Sequence, residues 1–420
     1  MKAPYLDDGD VRLYLGDCIE VMAEMDAESV DAVVCDPPYG LEFMGKEWDR
    51  ADSPDAFAAW CETWAREALR VLKPGGHLLA FGGTRTFHRL TCGIEDAGFE
   101  VRDCLSWLYG SGFPKSLDVS KAIDKAAGAE REVVGGKAVT RDLARNGRTG
   151  DEAISPVPVQ GTTVPITAPA TDAAREWQGW GTALKPAWEP CVVARKPLAG
   201  TVAENVQAHG TGAINVDGCR IPHASEADLA QHAAGVAAIK ARGGSMANSW
   251  KNSSDLSGAN DVKPGGRWPA NVALDEQAAA MLDAQSGDIT TTRIEKPSKV
   301  QEGKGWSRTL EDRGARGYTD NGGASRFFYT AKASRSDRST NGANNTHPTV
   351  KPTDLMRWLV RLVTPPGGVV LDPFAGSGTT LVAARAEGVR CIGIEREDEY
   401  AQIVAARLSQ LSLLSDDHAA

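Results

Sequence analysis

The 420-residue chain lacks the features that mark several large classes of protein. Its eight cysteines are dispersed without a C-x-x-C pair, which argues against a zinc site or a disulfide framework and fits a reducing compartment. No apolar run approaches the roughly 18 residues that a membrane span needs. The first residues contain no basic segment followed by an apolar one, so we expect no signal peptide, no membrane partner and a cytoplasmic location.

The chain is also short of positive charge. It carries 46 lysines and arginines against 56 aspartates and glutamates, and the net charge of −10 is unusual for a protein that binds nucleic acid. The charge is unevenly distributed, because residues 290–340 hold eleven basic and six acidic residues. This segment predicts either a solvated loop region or a surface that contacts nucleic acid.

Strand and helix patterns alternate over residues 11–125 and return at residue 352. This alternation predicts an α/β fold with a mostly parallel sheet and helices on both faces. Residues 129–175 lose the periodicity and predict a loop insertion or a small β excursion. Residues 201–340 are irregular, with few long apolar runs, so we expect this block to pack on the sheet domain instead of folding alone.

A rigid acidic and aromatic tetrapeptide, Asp36-Pro37-Pro38-Tyr39, follows the apolar strand VDAVVC. Each proline fixes φ near −65° and lacks an N–H, so the segment can neither continue a sheet ladder nor begin a helix. Ionised Asp36 only accepts hydrogen bonds, and Tyr39 offers a flat ring for stacking. These groups suit a planar ligand with an exocyclic amine. A proline-rich turn capped by an aspartate is the structural alternative.

A second motif, LDPFAGSGTT, stands at a predicted strand-to-helix junction. Gly376 and Gly378 allow a tight turn and a close approach of ligand to backbone, and the following helix begins with free N–H groups. Glu395 ends the next apolar strand, where an acid can accept both hydroxyls of a ribose. The turn lacks the Gly-Lys-Ser/Thr of a P-loop and the third glycine of pyrophosphate-binding sites. We therefore expect an adenosine-containing ligand, in either a dehydrogenase or a methyltransferase.

Together, D-P-P-Y and D-P-F-A-G-S-G-T-T resemble the signature pair of S-adenosylmethionine-dependent amino-group DNA methyltransferases. The catalytic motif precedes the cofactor motif, which resembles the permuted β-class order. The resemblance implies a Rossmann-like methyltransferase fold, with residues 1–200 as the catalytic half and residues 341–420 as the cofactor-binding half. It also implies that residues 201–340 form an inserted target-recognition region.

The resemblance assigns roles to the residues of both motifs. The carboxylate of Asp36 and the carbonyl of Pro37 would accept hydrogen bonds from the target amine, Pro38 would keep the motif rigid, and Tyr39 would stack on a flipped base. Attack on the cofactor methyl would be direct, so Cys35 would have no catalytic role. The implied cofactor-binding residues are Asp17, Asp36, His347, Lys351, Asp372, Phe374, Gly376, Gly378, Thr379, Thr380 and Glu395.

Two of these assignments rest on further matches to the family. Asp17, in Leu15-Gly16-Asp17-Cys18, resembles the acid that binds the adenine amine of the cofactor. His347 and Lys351 lie in H-P-T-V-K-P, which looks like the element that closes over the methionine end of the cofactor. A satisfied turn residue is the alternative interpretation of His347. No metal is implied.

The resemblance implies methylation of the N6 amine of adenine in double-stranded DNA, with the N4 amine of cytosine as the alternative. Asp36 resembles the adenine enzymes. An adenosine-cofactor oxidoreductase, a non-catalytic DNA-binding module and a methyltransferase for RNA or protein are the competing hypotheses. Homodimers are typical of the family, and a companion restriction endonuclease and an association with the nucleoid are compatible with it.

Overall fold

The computed structural model describes residues 3–42, 45, 47–112, 116–140, 158–241, 262, 265–287, 322–332, 337, 339–340, 343–344 and 350–416. Its strands are β1 (Leu6–Asp7), β2 (Val11–Leu15), β3 (Val30–Cys35), β4 (Leu72–Phe81), β5 (Glu100–Leu108), β6 (Val133–Thr140), β7 (Pro158–Thr167), β8 (Trp188–Arg195), β9 (Val272–Asp275), β10 (Tyr329–Ala331), β11 (Ser339–Thr340), β12 (Ala343–Asn344), β13 (Val369–Asp372) and β14 (Arg390–Glu395). Among these residues, no helix combines the length and apolar character that a membrane span requires.

The α-helices follow the chain between these strands. They are α1 (Cys18–Ala23), α2 (Pro54–Val71), α3 (Phe87–Asp96), α4 (Val119–Ala126), α5 (Asp172–Glu176), α6 (Val202–His209), α7 (Glu226–Ala241), α8 (Glu276–Ser286), α9 (Thr353–Val363), α10 (Thr379–Ala386) and α11 (Asp398–Asp416). Several begin at a side-chain cap: Ser53, for example, accepts the N–H of Ala56 at the start of α2, with Pro54 in the first turn.

One large sheet organises the molecule, in the strand order β1-β2-β14-β13-β3-β4-β8-β5-β9-β10. The five neighbouring strands from β2 to β4 are all parallel, and β8 then runs antiparallel to both β4 and β5. Because β13 pairs with β14 on one side and with β3 on the other, the carboxyl ends of these strands flank a topological switch point. Ligands of open α/β sheets bind at such a point.

Apolar side chains of the parallel strands alternate between two cores. Val33 and Cys35 of β3 pack with α1, α2 and α3, whereas Ala32 and Val34 pack with α9, α10 and α11 on the opposite face. The central strands are buried on both faces, which is why they read as continuous apolar runs in the sequence. The predicted α/β fold, a mostly parallel sheet with helices on both faces, is confirmed.

The two irregular segments add structure to this sheet domain in different ways. Within residues 129–175, β6 and β7 pair as an antiparallel hairpin, which is the β excursion that the sequence left open. The block 201–340 adds β9, parallel to β5, and β10, parallel to β9, to the edge of the large sheet. Its described part is therefore continuous with the main domain. Residues 288–321 lie outside the described residues, and they contain most of the basic residues of the 290–340 segment.

Candidate active site

Four acidic residues lie at the carboxyl ends of four adjacent parallel strands. Asp36 follows β3, Asp372 ends β13, Glu395 ends β14 and Asp17 lies two residues beyond β2. Carboxyl ends of parallel strands meet at one edge of a sheet, so the topology alone brings these acids together. They line a single cavity of about 1010 Å³.

Most of the residues predicted from the sequence also line this cavity. Besides the four acids, the predicted residues that line the cavity are Pro37, Pro38, Tyr39, Lys351, Phe374, Gly376, Thr379 and Thr380. Gly378 is not part of the lining, and His347 lies outside the described residues. The motifs from the two ends of the chain therefore converge on one site, as the resemblance implied.

A buried carboxylate fixes the loop that carries Tyr39. The side chain of Asp49 accepts the backbone N–H of Tyr39, of Gly40 at 2.9 Å and of Leu41 at 3.2 Å, and only 2% of Asp49 is exposed. Gly40 adopts φ +67°, and a β-carbon there would lie 2.8 Å from the ring of Phe57, so glycine is required on both counts. The sequence did not single out Asp49, because it follows the motif by ten residues.

The side chains of Asp36, Tyr39 and Lys351 form a connected cluster. Lys351 Nζ donates to Asp36 Oδ2 at 2.6 Å, and the Tyr39 hydroxyl donates to Asp36 Oδ1 at 2.7 Å. Lys351 Nζ also lies 3.1 Å from the Tyr39 oxygen. Both oxygens of the Asp36 carboxylate thus face a donor, as a charged acceptor array should.

Glu189, near the start of β8, is a fourth member of this cluster that the sequence did not predict. Its Oε1 lies 2.5 Å from the Tyr39 hydroxyl, whose single proton it shares with Asp36, and accepts from Lys351 Nζ at 3.2 Å. No local sequence pattern relates this acid to a tyrosine 150 residues away. The antiparallel insertion of β8 beside β4 is what brings it to the cavity.

The charges of the cluster shift the pKa values of its members. Burial alone would lower the pKa of Lys351, but the nearby carboxylates of Asp36 and Glu189 outweigh it and raise that pKa, so Lys351 is a cation. Burial, followed by the same two carboxylates, raises the pKa of Tyr39 well above its ordinary value. Tyr39 therefore carries its hydroxyl proton at every physiological pH.

Cys35, beside Asp36, is not available as a nucleophile. It is fully buried, and burial raises its pKa well above the usual value for a thiol. The chemistry of the cavity consequently depends on carboxylates, a phenol and an ammonium group.

The acids on the other side of the cavity are held mainly by backbone donors. Asp372 Oδ1 accepts the N–H of Phe374 at 3.0 Å. Glu395 Oε2 accepts the N–H of Gly376 at 2.7 Å, and its Oε1 accepts the N–H of Glu397 at 2.8 Å. Burial raises the pKa of Asp372 to about 7 and also raises that of Glu395. Hydrogen bonds from these donors oppose both shifts.

The two glycines of the turn, Gly376 and Gly378, contact different parts of the molecule. Gly376, at φ +52°, offers its N–H to Glu395 at the cavity. Gly378, at φ +77°, lies against α11 instead, and a β-carbon there would be 2.8 Å from Val404. Gly378 is thus needed for packing, whereas the sequence suggested an approach by ligand for both glycines.

A buried arginine from α11 anchors the same turn. Arg407 Nη1 donates to the carbonyl of Ser377 at 2.6 Å and lies 3.2 Å from the hydroxyl of Thr379. Thr379 and Thr380 both line the cavity, and their predicted part in binding a cofactor stays a prediction.

Asp17 and Phe374 are positioned by local structure. Asp17 caps α1, accepting the N–H of Ile19 at 2.8 Å, so its carboxylate points along the strand edge. The ring of Phe374 lies 5.7 Å from that of Trp60 and 5.3 Å from that of Trp64, in an aromatic cluster on the cavity wall. Phe374 therefore packs in this cluster and lines the cavity, and its predicted contact with a cofactor stays a prediction.

Aromatic residues of two further segments differ in their burial. Trp107 is 4% exposed and belongs to the core, while Tyr109 nearby lines the cavity. In the 325–329 segment, Tyr329 stacks on Trp358 with ring centroids 4.8 Å apart, and Phe327 stays 38% exposed. The described part of the chain contains no group of three or more metal-ligating side chains.

Comparisons with known proteins place the chain beside DNA methyltransferases. A family model described as DNA methylase, for N6 and N4 methyltransferases, matches residues 30–126 and 228–406. The type II methyltransferase M.HindIII of Haemophilus influenzae is 22% identical over 433 residues, covering 94% of each chain. M.HinfI of Haemophilus influenzae is 27% identical over 106 residues, which cover 22% of this chain and 30% of the relative. The structure of the cytosine-N4-specific PvuII DNA methyltransferase aligns at a TM-score of 0.45 with 15% identity, covering 97% of this chain and 89% of that one.

Proposed function

Since the chain belongs to the N6/N4 DNA methylase family, we propose that it transfers a methyl group from S-adenosylmethionine to the N6 amine of an adenine in double-stranded DNA. One observation carries the proposal: the Asp36 carboxylate shares one cavity with the residues predicted to bind the cofactor. The choice of adenine rests on aspartate at position 36, which resembles the adenine enzymes of the family.

The cofactor side of the cavity suits S-adenosylmethionine by its chemistry. Glu395 is fixed at a strand end where a carboxylate can accept ribose hydroxyls, and Phe374 and Trp60 provide aromatic faces for an adenine ring. Asp17 and Asp372 add acceptors at the same edge. When bound, S-adenosylmethionine supplies a methyl group on a positively charged sulfur, which departs as a neutral thioether as the new C–N bond forms.

The base side would hold the target amine. A base must leave the stack to reach the cavity, at a cost of a few kcal/mol. Stacking on the Tyr39 ring would offset part of this free energy. The carboxylate of Asp36 and the carbonyl of Pro37 accept from the amine, so the nitrogen lone pair turns out of the ring plane toward the methyl group. The charge of Asp36 also stabilises the positive charge that develops on the nitrogen, which then releases one proton to solvent to give the neutral methylamino group.

Residues 201–340 are proposed to read the DNA sequence. Two exposed aromatic residues of this block support that role: Trp268 is 53% exposed with Arg220 over its ring, and Phe327 is 38% exposed with Arg326 over its ring. Aromatic rings combined with guanidinium groups suit contacts with bases and phosphates.

The experiment is methyl transfer from S-adenosylmethionine to unmethylated genomic DNA, followed by mass spectrometry of the nucleosides, with the variant Asp36→Ala alongside. We expect N6-methyladenine from the wild type and none from the variant. N4-methylcytosine would keep the mechanism and overturn the choice of base. Absence of both marks, from a protein that binds the cofactor, would overturn DNA as the substrate.

A further inference from the structure

Both oxygens of the proposed amine acceptor already face a donor. Lys351 Nζ lies 2.6 Å from Asp36 Oδ2, and the Tyr39 hydroxyl lies 2.7 Å from Asp36 Oδ1. A carboxylate oxygen can accept a second bond, so a target amine that donates to Asp36 would share the carboxylate with these donors. Of the two donors, only Lys351 brings a full positive charge to the carboxylate.

Lys351 also lies at the hydroxyl edge of the ring on which the base would stack. Its ammonium group lies 3.1 Å from the Tyr39 oxygen, 5.6 Å from the centre of the Tyr39 ring and 4.7 Å from that of Phe81. Only 11% of the Lys351 side chain is exposed, so the group fills space inside the cavity instead of projecting from it. The ammonium group therefore lies beside the carboxylate that a stacked base would have to reach, and leaves the ring face open.

Glu189 offers the displaced ammonium group a second acceptor. Its Oε1 lies 3.2 Å from Lys351 Nζ, so a small rotation of the lysine exchanges one carboxylate for the other without loss of its ion pair. The carboxylate of Glu189 is largely buried, with 19% of the side chain exposed. It would therefore lose little hydration when Lys351 turns to it. The hydroxyl of Tyr39 can make the same exchange, because it lies 2.5 Å from Glu189.

The charge balance explains why a second carboxylate is needed. The cluster holds two carboxylates and one ammonium group, so one negative charge is left over when Lys351 is paired. With Lys351 on Glu189, that charge stands on Asp36, facing the nitrogen that becomes positive during methyl transfer. Without Glu189, the pair of Asp36 and Lys351 would be neutral, and no net negative charge would face that nitrogen.

On the basis of the proposed function, we propose that Glu189 is a positioning residue for methyl transfer: it takes Lys351 from Asp36 when the target amine enters. Lys351 is then an internal substitute for the substrate amine in the free enzyme. Glu189 acts through Lys351 and Asp36 and needs no contact with the base.

The test compares Glu189→Gln, Lys351→Met and the double variant with the wild type. Initial rates of methyl transfer to unmethylated genomic DNA are measured at saturating S-adenosylmethionine, and cofactor affinity is measured by calorimetry. Glutamine keeps the shape of Glu189 and removes its charge, so Lys351 stays on Asp36 and we expect kcat to fall about fiftyfold. The cofactor affinity of this variant should stay within threefold of the wild type.

The double variant gives the decisive result. Removing Lys351 frees Asp36, so the double variant should be at least fivefold faster than Glu189→Gln alone. A merely structural role of Glu189, or a direct contact with the base, predicts no such rescue. A double variant that is no faster than the single one overturns the proposal, as does a Glu189→Gln variant with the activity of the wild type.

Two controls separate this proposal from the proposed function. Glu176→Gln and Lys125→Met make the same chemical changes at exposed positions of α5 and α4 and should leave kcat unchanged. An inactive wild type overturns both the proposed function and the exchange. An active wild type without rescue in the double variant overturns the exchange alone.

Discussion

The two sides of the cavity use the same chemical group, a carboxylate at the carboxyl end of a parallel strand, in opposite ways. On the proposed cofactor side, Glu395 accepts two backbone N–H groups, and Asp372 accepts one. On the base side, Asp36 accepts from two side chains, Tyr39 and Lys351. Backbone donors keep their positions, whereas side-chain donors can turn to another partner.

This difference indicates which half of the site changes during a reaction cycle. A preformed, backbone-held surface suits a cofactor that every turnover uses in one pose. A surface held by side chains suits a site that must be empty in one state and occupied by a base in the next. The presence of Glu189 beside Lys351 supports that interpretation, because it provides the partner for the second state.

The largest effect should come from Asp36→Asn, which removes one charge and keeps the shape. The change takes away the negative charge that faces the developing positive nitrogen, so we expect kcat to fall by about a hundredfold to a thousandfold. Cofactor affinity should stay within threefold of the wild type. Steady-state rates with genomic DNA and calorimetry with S-adenosylmethionine are the measurements.

The matched change on the other side is Glu395→Gln, and it should show the reverse pattern. We expect about tenfold weaker cofactor binding and a kcat within threefold of the wild type at saturating cofactor. If both variants lose the same property, the two sides do not differ as described.

The second prediction uses the raised pKa of Asp372. Burial raises it from 3.8 to about 7, so between these values the folded protein keeps a proton that the unfolded chain releases. That proton stabilises the fold fully below pH 3.8, and its contribution is lost as the pH rises toward 7. Asp372→Asn mimics the protonated carboxyl. The free energy of unfolding of this variant minus that of the wild type should therefore increase by about 1 kcal/mol for each unit that the pH rises across this window.

Urea unfolding of both proteins from pH 4 to pH 8 measures this difference in free energy of unfolding. Asp26→Asn, at an exposed carboxylate, is the control and should give a difference that does not change with pH. A flat difference for Asp372→Asn as well would show that the carboxyl is ionised in the folded protein throughout the range.

The residues that could be predicted from the sequence belong to local patterns. Asp36 to Tyr39, and Asp372 to Gly376, each follow an apolar strand directly, so strand and turn chemistry place them at the sheet edge without knowledge of the rest of the chain. The α/β fold followed from the same alternation of apolar strands and amphipathic helices. These parts of the molecule are specified by neighbours in sequence.

The residues that were missed act across long distances in the chain. Glu189 is one of 56 acidic residues, and only the antiparallel placement of β8 brings it to Tyr39. Arg407 reaches the glycine-rich turn from a helix 30 residues later. The short strands β9 and β10 have four and three residues, too few for an apolar pattern to mark them. Such contacts depend on strand order, which no local pattern specifies.

The third prediction concerns a carboxylate of the base side that is held by backbone donors. Asp49 accepts the N–H groups of Tyr39, Gly40 and Leu41 and is buried. In Asp49→Asn an amide N–H would face one of these donors, so we expect the free energy of unfolding to fall by about 2 kcal/mol. The loop that carries Tyr39 would also lose its fixed position, and kcat should fall about tenfold.

Urea unfolding and steady-state rates measure the two effects, with Asp26→Asn as the matched control. A loss of stability at unchanged kcat would mean that the position of Tyr39 does not depend on this carboxylate. Asp49 would then hold the loop together without aiding the reaction.

The smallest effect should come from Arg407→Lys, which tests how strongly the cofactor side depends on a fixed turn. Lysine keeps the charge, but its shorter side chain would hold the ammonium group short of the position of Nη1, the nitrogen that contacts both Ser377 and Thr379. We expect cofactor affinity to fall about threefold to tenfold, measured by calorimetry, while kcat at saturating cofactor stays within twofold. Arg390→Lys, at an exposed position, is the control. A fall in kcat without a change in affinity would mean that the turn also positions the base side, and the division between a fixed and an exchanging half would not hold.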